Sequence, residues 1–232
     1  LFRAASSYIR AEVGDGGHAL CLVDPLARCL ADQLGRTEVR ALSGMCAVLV
    51  GDACYPHDAQ SLEAARRRLW GASTNSPKPA TTDPYKYLYG TVNLYLEKSY
   101  EEDPVGADSL LTGVTVLIER CPGAHALDLF AAIGSGGACW IQDANGAVKS
   151  RSSTAKIITS LWEAIRSQAS TTISGVNSTI ALSKLQALLS AGLNSKRKPI
   201  ANSAITLWNT TFGTQSTLTD PKSTRLNSSH QY

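Results

Sequence analysis

The side chains most able to do chemistry cluster late in the chain. Lys196-Arg197-Lys198 stands just before Pro199, and Lys149, Arg151 and Lys156 lie upstream of it. Residues 149–213 hold eight Lys/Arg and a single acid, Glu163, whereas residues 1–148 hold 12 Lys/Arg against 17 Asp/Glu. Residues 214–232 add two basic residues and Asp220, so the 232-residue chain carries a formal charge of +3. The net value says little, but the segregation is what a polyanion would feel. Loop lysines and arginines on a helical scaffold hold phosphates without reading sequence. Phosphate contacts are therefore expected at Lys149, Arg151, Lys156, Lys196, Arg197 and Lys198. On that reading, neutralising residues 196–198 flattens the salt dependence of DNA binding by up to ~3 units. The alternative for the trio is a solvated loop, and so short a basic run makes only a minimal nuclear import signal. Arg66-Arg67-Arg68 closes a helical stretch containing Asp58 and Glu63, and reads as compensation of a helix dipole.

Nothing comparable points to catalysis or to a cofactor. The histidines are His18, His57, His125 and His230. His125 is near Cys121, but Pro122 breaks the helix that would align them. The six cysteines (21, 29, 46, 54, 121, 139) form no C-x-x-C pair and lie near no histidine pair, so no zinc site is expected. Cys21, Cys29, Cys46 and Cys121 fall in apolar runs and are expected as buried, reduced thiols of an intracellular protein. The N-x-S/T sequons at Asn177, Asn209 and Asn227 read as chance matches. Gly14-Asp-Gly-Gly-His-Ala fits a dinucleotide fingerprint only loosely and lacks the alternating strands that would make it one, so it reads as an inter-helix loop. Gly134-Ser-Gly-Gly lacks the lysine of a phosphate loop and reads as a helix stop.

These residues need a scaffold, and the pattern that supplies it is helical. Hydrophobic residues make up 44% of the chain and charged ones 18%, enough apolar content for a core. No apolar run approaches the ~20 residues of a membrane-spanning helix. Tyr85, Leu88, Tyr89, Val92, Tyr95 and Leu96 share one helix face, with Asp83-Pro84 as a start signal. Leu110, Leu111, Val114, Leu117, Ile118 and Cys121 share another, with Asp108 as a cap candidate. Further stripes run through Ala126–Ile133, Ile157–Ile165, Leu182–Leu189 and Ala201–Phe212. Before residue 72, helices are expected near 18–34, 37–51 and 58–70, with Pro25 early in the first or kinking it. Segments 71–84 and 167–179 read as loops. Strand signals are scarce. The expectation is an all-α protein of about eight or nine helices, whose starts repeat at ~20 residues and so pair into units of ~40, the period of HEAT-type repeats.

The segment Ser195-Lys-Arg-Lys-Pro-Ile-Ala-Asn-Ser-Ala-Ile-Thr-Leu-Trp-Asn-Thr-Thr-Phe-Gly213 resembles the end of the N-terminal helical-repeat domain of the Rap-interacting factor family, in its fungal form. Leu207-Trp-Asn-x-Thr-Phe-Gly213 is its most specific element. Trp208 and Phe212 lie four apart on one helix face and Gly213 stops the helix, so packing alone suffices to explain the motif. The resemblance covers about 20 residues strongly, and elsewhere agrees only in being helical. It implies a nuclear, telomere-associated, HEAT-like α-solenoid that binds DNA with little sequence preference, recruits protein phosphatase one to chromosomes and delays late replication origins. The Lys/Arg-Val-x-Phe and Ser-Ile-Leu-Lys phosphatase-docking motifs are absent from this sequence. Partners beyond DNA, namely the phosphatase and telomere proteins, would thus engage other parts of a parent protein.

The expectation is accordingly a non-enzymatic chromatin scaffold without cofactor, with residues 1–213 forming the helical segment and 214–232 a disordered tail. Residue 1 is Leu, no signal peptide opens the chain, and the sequence reads as a piece of a longer protein. The stretch 220–232 is similar to a translated sequencing-adapter peptide. The competing expectation is a helical-repeat adaptor that binds proteins, with the basic loops incidental.

Overall fold

A computed structural model describes residues 1–71, 83–85, 87–149 and 152–213. All regular structure among these residues is helical: α1 (Phe2–His18), a π-helical turn (Ala19–Val23), α2 (Asp24–Asp32), α3 (Val39–Asp52), α4 (Ala59–Trp70), α5 (Leu88–Glu102), α6 (Asp108–Arg120), α7 (Gly123–Ala132), α8 (Gly134–Gln142), α9 (Ser153–Ile173), α10 (Ser178–Leu193) and α11 (Lys198–Thr211). The tail 214–232 and most of the 71–84 loop lie outside the described residues.

Two lines of packing run through the molecule. In one, α3 packs on α6, α6 on α9 and α9 on α11; in the other, α2 packs on α5, α5 on α8 and α8 on α10. The lines meet where α3 touches α5 and α10 touches α11, and α7 sits against both α9 and α10. The expected apolar faces fill the space between them. Tyr85, Leu88, Val92, Tyr95 and Leu96 are fully buried, as are Leu111, Val114, Leu117 and Ile118. Trp140, Trp162, Phe130 and Phe212 are the large side chains closed into the same core. Ile205 departs from the expected stripe of α11 and is exposed.

Polar side chains tie the α2–α5–α8 line across its helices. Thr91 Oγ1 donates to Ala27 O at 2.9 Å, Tyr95 OH to Leu30 O at 2.7 Å and Trp140 Nε1 to Leu96 O at 2.8 Å. Each satisfies a donor that burial would otherwise strand. Asp24 caps α5 from outside: its Oδ1 accepts from the N–H groups of Tyr87 at 2.7 Å and Leu88 at 2.9 Å. Asp83, the expected cap, accepts instead from Tyr85 N at 2.9 Å. Local caps beyond those expected start other helices, with Asp58 Oδ1 accepting from Ser61 N at 2.6 Å and Asn177 Oδ1 from Thr179 N at 2.9 Å.

The N-terminal region differs most from expectation. A helix precedes residue 18, and Gly14-Asp-Gly-Gly is its kinked last part rather than a loop. Gly14 adopts φ +68°, open to glycine without strain, and redirects the chain there. A Cβ on Gly16 would lie 3.2 Å from Leu62 Cα, so the missing side chain lets α4 approach. The helix then widens into the π turn, with Asp24 N–H reaching Ala19 O, just before Pro25, which has no N–H to continue an α ladder. Helix α7 does end at Ala132, just before Gly134-Ser-Gly-Gly, but these residues also open α8, and α9 runs to Ile173 through part of the expected 167–179 loop.

Candidate nucleic-acid interface

Lys149 and the Lys196–Lys198 trio converge because two loops pack together. Asp143 ends α8 in the left-handed conformation (φ 51°), and Gly146 follows at φ 66°. These turns fold the 143–149 loop onto the α10–α11 connection. Ser195 Oγ donates to Ile141 O at 2.6 Å, Lys196 N–H to Gln142 O at 3.3 Å, and Lys196 Nζ to Ala144 O. Lys149 and Lys196–Lys198 therefore occupy the same end of the molecule.

Arg197 turns inward. Its Nη2 donates to Asp143 Oδ2 at 3.1 Å and faces Val148 O at 3.4 Å, with the arginine side chain 12% exposed and that of Asp143 4%. Tyr100 OH completes the cluster, donating to Asp143 Oδ1 at 3.0 Å and accepting from Asn145 N–H at 3.3 Å. Burial and the bond to Asp143 both push the Tyr100 phenol above its ordinary pKa, keeping it neutral and able to donate. Arg197 thus fastens α11 to the α8–α9 loop.

Lys149 and Lys198 are exposed beside this cluster, and Lys156 is exposed on the first turn of α9. None of the three forms an ion pair among the described residues. Lys196 is exposed too, and its ammonium has protons to spare after bonding one carbonyl. The nearby acids are engaged. Glu163, the only acid of 149–213, pairs with Arg166 at 2.7 Å, and Asp108 accepts from Ser153 Oγ at 2.7 Å and Thr154 Oγ1 at 2.6 Å. Asp108, the expected cap of α6, thereby pins the start of α9. Arg151 lies outside the described residues.

The remaining chemically suggestive residues are packed into the structure. Tyr55 stacks on His125, with ring centroids 6.2 Å apart, and its OH meets Tyr89 OH at 2.7 Å. Burial pushes the Cys121 thiol up to about 12, so no thiolate is present at neutral pH. Cys46 is buried and raised to about 12 in the same way, whereas Cys29 is exposed, contrary to expectation. Among the described residues no group of three His, Cys, Asp or Glu could hold a metal ion, and no helix is long and apolar enough to cross a membrane. The open surface dips of about 490 Å³ between α3 and α6 (Gly51, Asp108, Thr112, Gly113, Arg120) and of about 530 Å³ between α6 and α9 (Glu119, Thr159, Ser160, Glu163, Arg166) hold, among the described residues, the single ion pair Glu163–Arg166.

Trp208 and Phe212 pack ring against ring at a centroid distance of 5.6 Å, and Phe212 and Leu207 are buried. Packing accounts for this motif in full. Comparison with family models, with curated proteins and with solved structures finds no match.

Proposed function

We propose that the chain is a non-enzymatic α-solenoid segment that binds the DNA backbone through Lys149, Lys156, Lys196 and Lys198, with Arg151 beside them in sequence. The observation that carries this reading is a set of exposed lysines with no ion pair among the described residues: two packed loops bring Lys149, Lys196 and Lys198 together, Lys156 follows on α9, and Glu163, the one acid of 149–213, is paired with Arg166. Phosphate binding needs such charges and no precise geometry, since counterion release supplies the free energy. The two lines of helix packing support the solenoid part: successive pairs α2/α3, α5/α6, α8/α9 and α10/α11 add one helix to each line, as HEAT-like repeats do. The resemblance of the 195–213 sequence to the Rap-interacting factor family is what suggests a role in telomere maintenance and replication timing in the nucleus.

Fluorescence anisotropy with a labelled duplex of arbitrary sequence tests the reading on the full chain. Expected is tight binding at low salt whose log K falls linearly with log salt, equally for unrelated duplexes. Absence of binding by folded, helical protein overturns it. A protein-binding adaptor is then the better reading, favoured by Met45 and Val48, which stand exposed one turn apart on α3.

A further inference from the structure

A second buried polar cluster lies at the opposite end of the chain. His18, completely buried at the end of α1, places Nε2 2.9 Å from Ser6 Oγ and 3.0 Å from Asp52 Oδ2. Ser6 Oγ donates to Asp52 Oδ2 at 2.6 Å, and Arg10 Nη1 donates to Asp52 Oδ1 at 3.1 Å. Arg10 also reaches Asp52 O, Cys54 Sγ at 3.5 Å and Asp15 Oδ1 at 3.3 Å. Serine, histidine and aspartate suggest a catalytic triad, but the wiring excludes one. A triad needs the acid on Nδ1 and the serine on Nε2, whereas here both meet Nε2. Ser6 is also 2% exposed, out of reach of a substrate.

The wiring fixes the state of the ring. Ser6 has one proton and gives it to Asp52, so His18 must donate from Nε2. Nδ1 is then bare, and it is buried with no hydrogen-bond partner. A second ring proton would sit on Nδ1 as an unsatisfied donor, in a pocket where Asp52 is already shared with Arg10 and Ser6. Burial first, and the Arg10 charge second, hold His18 below its ordinary 6.5, outweighing the opposing pull of Asp52 and Asp15. From the other packed elements, α4 brings Leu62 against Gly16; it also carries Arg66, half-buried, and the exposed pairs Glu63–Arg67 and Glu12–Arg68. Near Arg10, Tyr85 OH donates to Cys54 O at 2.5 Å. The chief packing partner of α4 is α1, so whatever frees α1 frees both.

We propose that Ser6, His18 and Asp52 form an acid-operated latch: proton entry at His18 Nδ1 releases α1, and α4 with it, from the end of α3. A lowered pKa in the closed state means the open state binds the proton more readily. The latch therefore holds above pH 6.5 and weakens as pH falls below it, by up to about tenfold in the opening equilibrium per pH unit.

Hydrogen exchange on the full chain, corrected for intrinsic rates, tests this at pH 7.5 and 5.5. Expected is a loss of protection of up to about tenfold in residues 2–18 and 59–70, with 108–120 and 158–169 unchanged. His18→Gln keeps a donor but takes no proton, and its α1 should be equally protected at both pH values. Loss of protection that persists in His18→Gln overturns the proposal. If that variant fails to dock α1, the NMR titration of wild-type His18 decides: a midpoint below 6.5 that coincides with α1 opening supports the latch, and titration at or above 6.5 with α1 still protected overturns it.

Discussion

The two ends of the molecule are fastened by buried charge clusters of the same outline and opposite temperament. At one end Arg10, Ser6 and His18 surround Asp52; at the other Arg197 and Tyr100 surround Asp143. Each clamps a helix end through one carboxylate. The N-terminal cluster turns on a histidine, which can take up a second ring proton on acidification, whereas an arginine side chain has no such switch. Asp143 is also more deeply buried than Asp52, with side chains 4% and 22% exposed. Comparable geometry thus gives a conditional fastening at one end and a permanent one at the other.

The largest effect should come from breaking the permanent clamp. Arg197→Ala strands a buried carboxylate, which costs about 3–5 kcal/mol. Urea unfolding should show the midpoint falling accordingly. Replacing both partners (Arg197→Met with Asp143→Asn) should recover part of the loss, because asparagine tolerates the left-handed turn and still accepts from Tyr100 while no charge is left stranded. An Arg197→Ala midpoint within error of wild type would mean that the guanidinium is solvated after all and belongs with the free lysines.

This prediction rests on a contact that no local pattern reveals. Lys196-Arg197-Lys198 reads in sequence as three equivalent cations. Only the fold of residues 143–149, set by the left-handed Asp143 and Gly146, turns the middle one inward. Helix faces were legible because periodicity reports burial directly, as Leu88, Val92, Tyr95 and Leu96 show. Helices α1 and α8 were not, because their glycines answer to tertiary packing. A Cβ on Gly136 would meet Asn93 O at 2.4 Å, and one on Gly137 would meet Leu188 Cδ2 at 2.8 Å. Close helix approach outweighs the propensity cost of glycine there. Asp24 capping α5, and Asp52 meeting His18, join residues far apart in sequence and leave no local trace.

An intermediate effect should come from the packing between the two ends. A Cβ on Gly192 would lie 2.5 Å from Trp162 Cη2 and 3.0 Å from Ala204 Cβ, where α10 meets the core under α11. Gly192→Ala should therefore destabilise by about 1–3 kcal/mol despite alanine's better helix propensity. A stabilised variant in a thermal melt would show that α11 is not seated on Trp162. Loss of Ser6 Oγ should cost about 1 kcal/mol, since Ser6→Ala deletes one hydrogen bond to Asp52 while Arg10 remains.

The smallest effect on stability should accompany the clearest effect on binding. Lys149 and Lys198 are exposed and form no ion pair among the described residues, so Lys149→Ala and Lys198→Ala should each shift stability by less than about 0.5 kcal/mol. If each lysine neutralises one phosphate, each substitution should reduce the slope of log K against log salt by ~0.9, uniformly across duplex sequences. Arg197→Ala serves as the contrast: in conditions where it remains folded, its slope should stay near that of wild type, because its charge already belongs to Asp143. A pattern in which Arg197 governs the slope and the two lysines do not would reverse the assignment of roles. The 143–149 loop would then open in the bound state to release the arginine, and the permanent clamp would be conditional as well, gated by phosphate where the other end is gated by protons.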